Sequence, residues 1–162
     1  MIPAPSTDAV FCFDTSALVK RYAAEAGSSW VNAVCRASTG NTVATAQITH
    51  VEAAAAFAVK RRHGELSHKD YTNALQDLAH DFMYEYLIVK IDQSLVELAV
   101  ELTKHHKLRG YDAVQLAAAL TLNSLLTQTP FTPLTFVTAD DELLQAAESE
   151  GLLAANPNQH PD

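Results

Sequence analysis

The chain has 162 residues, 48% of them hydrophobic, and carries 11 Lys and Arg against 19 Asp and Glu for a formal charge of −8. That length and apolar content suffice for one packed domain without disulfides, and the acidic balance argues against a broad basic surface for gripping nucleic acid unselectively. The 2 cysteines form no CxxC or CxxH pattern, residues 1–9 lack the basic start and apolar stretch of a signal peptide, and the longest apolar run, 113–126, is broken by Gln115, Thr121, Asn123 and Ser124. The expectation is a cytoplasmic protein with a single domain over 1–162, residues 1–9 being an N-terminal extension and 154–162 a tail.

Residues 10–13 are a short apolar run followed by the helix-start residues Asp14, Thr15 and Ser16 and then by Ala17, Leu18 and Tyr22, which reads as strand, tight turn, helix. A second helix starts at 27–29, carries Trp30, Val31 and Val34, and ends around Gly40; residues 42–45 follow as a short strand. The alanine-rich stretch 48–62 predicts a helix that stops near Gly64, with Ile48, Val51, Ala55 and Val59 as its apolar stripe and Glu52 within it. Residues 67–84 form a second amphipathic helix with Tyr71, Leu75, Leu78 and Phe82 on one side, so the pair reads as a helical hairpin.

Residues 86–91 predict a strand, Asp92 caps a helix over 95–105, and 111–126 is a nearly all-apolar helix. After the turn-rich stretch 127–133, residues 134–137 are a strand candidate, 140–150 a helix ending at Gly151, and the polar tail from Asn156 reads as frayed. Strands alternating with helices imply an α/β fold, a small parallel sheet of four to five strands flanked by helices.

Four acids stand out in this frame. Asp14 and Asp140 each follow a strand directly, which puts them at the carboxyl edge where open α/β sheets bind ligands. Asp is also a strong N-cap, and Thr138 with Asp141 spells a capping box, so each position has a purely structural reading as well. Asp112 opens the most apolar helix, where free amides and the helix dipole favour a carboxylate. Glu52 cannot be a cap; alone it reads as a boundary residue reaching water along its stem.

Carboxylates gathered at one edge repel unless a cation lies between them, and oxygen-only ligands favour Mg2+ or Mn2+ over zinc. The 7 histidines show no metal-binding spacing, and with 5 glycines there is neither a GxxxxGK nor a GxGxxG phosphate loop. Eight of the 11 basic residues fall in three groups: Lys20 and Arg21; Lys60, Arg61 and Arg62; Lys104, Lys107 and Arg109. They read either as solvated helix ends or as phosphate contacts.

The segments FDTSALVKRY around Asp14, THVEAAAAF around Glu52, LRGYDAVQLAAAL around Asp112 and FVTADDELLQAAESEGL around Asp140 resemble a PIN domain, and more narrowly the VapC-type toxins of bacterial type II toxin–antitoxin pairs. The likeness spans roughly residues 10–153 and keeps the order and spacing of all four motifs. It implies a PIN-like three-layer sandwich and a Mg2+- or Mn2+-dependent endoribonuclease site. Asp14, Glu52, Asp112 and Asp140 take the four acidic positions, Thr15, Ser16 and Thr138 support them, and Asp141 is an extra acid. It also implies an RNA substrate, a cognate antitoxin as partner, and a homodimer.

Lys107 and Arg109, and with them Lys20 and Arg21, are then candidate RNA contacts. The residues before Val10, the threonine- and proline-bearing connection 127–133 and the acidic net charge depart from the family's pattern without touching the acidic quartet. The enzymatic rival is a haloacid-dehalogenase-like phosphotransferase, with Asp14 as nucleophile and the Asp140–Asp141 pair on Mg2+. Its DxD signature would need an aspartate where Ser16 stands, and it gives Glu52 and Asp112 no task. A non-catalytic module binding RNA or antitoxin is the alternative from another class.

Overall fold

A computed structural model of the chain describes residues 9–128 and 133–160. Residues 1–8 of the predicted N-terminal extension and 129–132 of the 127–133 connection therefore lie outside the described residues. Five parallel strands form one sheet in the order β3-β2-β1-β4-β5: β1 (Val10–Phe13), β2 (Thr42–Ala46), β3 (Leu87–Val89), β4 (Thr135–Val137) and β5 (Leu153–Ala155). Seven α-helices are seen among the described residues: α1 (Thr15–Leu18), α2 (Ser28–Val34), α3 (Thr49–Arg62), α4 (His68–Tyr84), α5 (Gln93–His105), α6 (Gly110–Leu126) and α7 (Asp141–Ser149). None is long and apolar enough to cross a membrane.

Because successive strand residues face opposite ways, the central strands feed two cores. Cys12, Ala44, Ala46 and Phe136 turn towards α5, α6 and α7, packing on Leu95, Leu102, Leu116 and Leu143. Phe13, Val43 and Val137 turn the other way, onto Ala17, Leu18 and Val31 of α1 and α2. A third cluster, Val19, Ala53, Phe57, Ala74 and Leu78, closes the α3–α4 hairpin against the end of the α1 segment. The result is the three-layer arrangement predicted for an α/β chain with doubly buried parallel strands.

Three local expectations are corrected. The stripe of α3 is not Ile48, Val51, Ala55 and Val59: Val51 is 65% exposed and Val59 40%, while Thr49, Ala53 and Phe57 are fully buried. An alanine run carries little hydrophobic contrast, so its phase is set by the one large aromatic, Phe57, and Glu52 flanks the buried row. The helix starting at Ser28 ends at Val34, and a separate 3-10 turn, Ala37–Thr39, reaches Gly40. The tail from Asn156, read as frayed, is docked through residue 160: it follows β5, which pairs with β4, Asn156 and Pro157 are buried, and a 3-10 turn, Pro157–Gln159, packs on α2.

Candidate active site

The central strand β1 hands the chain to Asp14 at the carboxyl edge, where its amide donates to Val137 O of neighbouring β4 at 3.0 Å. Asp14 is the N-cap of α1, its Oδ1 accepting from the Ala17 amide at 2.9 Å. The cap reading is therefore correct but does not exhaust the residue. Ser16 Oγ lies 2.8 and 2.9 Å from the two carboxyl oxygens, and Thr138 Oγ1 donates to Oδ2 at 2.7 Å. Burial pushes the Asp14 carboxyl up to about 6 against the pull of Thr138, Ala17 and Ser16, and nearby Asp112 pushes it further the same way.

Thr138 joins two acids. Fully buried, it donates to Asp14 and accepts from the Asp140 amide at 3.1 Å, while Ala139 N donates to Ser16 Oγ at 2.9 Å. This corrects the predicted capping box of Thr138 and Asp141. Asp140 is itself the cap of α7, accepting from Leu143 N at 3.1 Å, and Asp141 accepts from Asn156 Nδ2 at 2.8 Å. A cap needs its side chain beside the first-turn amides, and Thr138 is turned to Asp14 instead.

Glu52, in the first turn of α3, accepts on Oε1 from Thr15 Oγ1 at 3.2 Å and from Gln115 Nε2 at 2.8 Å. Asp112, in the first turn of α6, accepts on Oδ2 from Arg109 Nε at 3.1 Å. The Arg109 guanidinium is pushed towards its charged form first by Asp112 and then by Asp140 and Glu52. One exposed cation thus feels three of the four acids, and the fourth, Asp14, feels Asp112. Thr15 joins Glu52 to the segment that follows Asp14, and Ser16 and Thr138 join Asp14 to the stretch leading into Asp140, while Asp112 is bonded to Arg109 and reaches Asp14 through its charge alone.

Gln115 and Thr49 belong to the same neighbourhood and are absent from the set expected from sequence. The signal available was a polar residue interrupting the most apolar helix of the chain, one turn after Asp112. Of the basic candidates, Lys20 is a correction: it is 5% exposed and bonded to Glu25 at 3.0 Å, so it is not free for RNA. Arg21 is spoken for by Asp81 at 3.3 Å and by Tyr86 Oη at 3.1 Å. Lys107 is exposed with no ion pair among the described residues, and Arg109 is exposed beside the acids.

Hard oxygen donors around a buried, charge-strained carboxylate suit a divalent cation by their chemistry. As the side chains lie, however, no group of three or more His, Cys, Asp or Glu among the described residues is arranged to hold an ion.

A parallel sheet with acids converging on its carboxyl edge from β1, β4 and the starts of α3 and α6 defines an α/β protein of PIN-like architecture. The PIN domain model matches residues 11–149, and the chain belongs to the PIN domain family. Ribonucleases VapC45 and VapC49 of Mycobacterium tuberculosis are each 33% identical to it over 111 residues, 67% of this chain and 73% of theirs. Among solved structures it is similar to VapBC2 from Rickettsia felis bound to a promoter DNA fragment, with a TM-score of 0.61, 16% identity and coverage of 91% of this chain and 98% of that one. It is also similar to a toxin–antitoxin complex from Klebsiella pneumoniae, with a TM-score of 0.58, 17% identity and coverage of 90% and 96%. At those identities the structures speak for the fold alone. Family membership decides against the haloacid-dehalogenase-like alternative, which had already left Glu52 and Asp112 idle.

Proposed function

We propose that the chain is a divalent-metal-dependent endoribonuclease and the toxin half of a toxin–antitoxin pair. What supports this reading is the linkage of Asp14 with Glu52 and Asp140 through Thr15, Ser16 and Thr138 at the sheet's carboxyl edge, with Asp112 near enough to add to the burial that pushes the Asp14 carboxyl up to about 6. Its sequence relatives are named VapC ribonucleases, which points the same way.

In this reading Asp14, Asp112 and Asp140 would hold Mg2+ or Mn2+, with Glu52 as a further ligand or as the group that orients water. Such a cation would supply a more acidic water and charge neutralisation at the phosphodiester. Thr138 and Ser16 fix both Asp14 oxygens, so that carboxylate is aimed before substrate arrives. Glu52 is held on one oxygen only, by Thr15 and Gln115, and takes no hydrogen bond on Oε2 among the described residues; that oxygen is the one placed to accept a proton from water. Arg109, bonded to Asp112 at 3.1 Å, offers a guanidinium beside the acids for an RNA phosphate.

Asp14→Asn and Asp112→Asn keep side-chain shape and remove the charge. With Mg2+ or Mn2+ present, each is expected to cut total cellular RNA at least about 100-fold more slowly than wild type. Undiminished cutting rejects the site. RNA bound firmly but never cleaved by wild type, with either metal, returns the protein to the class of binding modules.

A further inference from the structure

We infer that Gln115 is a positioning residue of this nuclease site, acting through Glu52. The inference rests on the reading above and adds to it a residue outside the set to which the resemblance gives a role. Gln115 is 3% exposed in a helix whose buried neighbours, Ala113, Leu116, Ala117, Ala118, Ala119 and Leu122, are otherwise all apolar. Burying a carboxamide there costs free energy unless its hydrogen bonds are made, and an apolar residue would fill the space without that cost.

The bonds are made, and all on the site side. The two N–H groups of Gln115 Nε2 are shared among Glu52 Oε1 at 2.8 Å, Thr49 Oγ1 at 2.9 Å and Thr15 Oγ1 at 3.1 Å, while Thr49 Oγ1 lies 3.1 Å from Gln115 Oε1, to which it donates. Thr15 in turn donates to Glu52 Oε1 at 3.2 Å. Residues three apart share a helix face, so α3 presents Thr49 with Glu52 and α6 presents Asp112 with Gln115. Thr49 fixes the rotamer of the amide; the amide and Thr15 then fix one oxygen of Glu52 and leave the other open. A flexible glutamate in the first turn of a helix is thereby given one orientation.

A buried amide that merely tied α3 to α6 would affect stability without favouring Glu52, and the test separates the two. Gln115→Met, Glu52→Ala and the double variant are compared in RNA cleavage at saturating substrate with Mn2+. Alone, Gln115→Met is expected to lower kcat about 10- to 100-fold with KM within about twofold, the usual weight of a residue that orients a ligand or base. In the Glu52→Ala background it should add less than about twofold, since its route of action is gone. Independently of activity, the Gln115 side-chain amide resonance of metal-free protein should move in Glu52→Ala.

An unchanged kcat in Gln115→Met, an equal loss in both backgrounds, or an amide resonance indifferent to Glu52 overturns the inference. Should Gln115→Met not fold, Gln115→Leu takes its place in the same comparison. Wild-type protein that cleaves no RNA removes the nuclease reading and this inference together; a wild type that cleaves, matched by Gln115→Met, removes the inference alone.

Discussion

Asp14 is held by two hydroxyls and an amide, yet its carboxyl still lies near 6 because burial outweighs them. Its usual value is 3.8, so in metal-free protein it favours the folded state when protonated. That contribution is complete below about 4 and is lost as pH rises through about 6. Asp14→Asn keeps an oxygen for the Ala17 amide and removes the ionisation. Its stability relative to wild type should therefore be near zero at pH 4 and rise to a gain of about 3 kcal/mol at pH 7.5, as read by denaturant unfolding with chelator present. A difference independent of pH would show that Asp14 is a cap and nothing more. The positions of Asp14, Asp112 and Asp140 were legible in sequence because strand ends and helix starts are marked by composition, whereas Glu52 alone read as a boundary residue. Gln115 was not legible, because its meaning lies in Glu52 and Thr49, 63 and 66 residues away.

The α3–α4 hairpin shows where periodicity stops being informative. The cap of the next helix was readable from a single residue: Asp92 accepts from Leu95 N at 2.9 Å. The phase of α3 was not, since Ala53 through Ala56 are chemically alike and Val51 and Val59 look more apolar than the alanines actually buried. The structure rotates the helix so that Phe57 enters the cluster with Leu78 and Val19, leaving Glu52 at the margin where it meets Thr15 and Gln115. Phe57→Ala is accordingly expected to cost about 3–5 kcal/mol, and Val51→Ser to stay within about 0.5 kcal/mol of wild type. Chemical denaturation of the two variants checks this. Comparable losses would restore the stripe that sequence alone suggests and would turn Glu52 towards the core.

The described end of the chain joins β4, α7 and α2, and sequence hid it because Leu153, Ala154 and Ala155 favour helix over strand in isolation. Pairing with β4 makes them a strand, so tertiary context overrides local preference there. Beyond β5, Asn156 donates to Asp141 at the start of α7, beside Asp140, and His160 stacks on Trp30 with ring centroids 4.8 Å apart. Pro157 closes the arrangement: a Cβ on Gly27 would lie 2.3 Å from the Pro157 carbonyl oxygen. Gly27 also has a φ of +85, so any side chain there is strained as well as blocked. Gly64, at φ +77 with nothing within 4 Å of an added Cβ, meets the strain alone. Gly64→Ala should therefore cost about 1 kcal/mol and Gly27→Ala about 3 kcal/mol, the excess measuring how firmly the C-terminal turn is docked. The chain's 1 tryptophan is the reporter at hand. Emission from Trp30 should shift in native Gly27→Ala and stay unchanged in Gly64→Ala. Equal losses of stability with unaltered emission in both would mean that the turn yields freely and does nothing to steady the start of α7, where Asp140 stands.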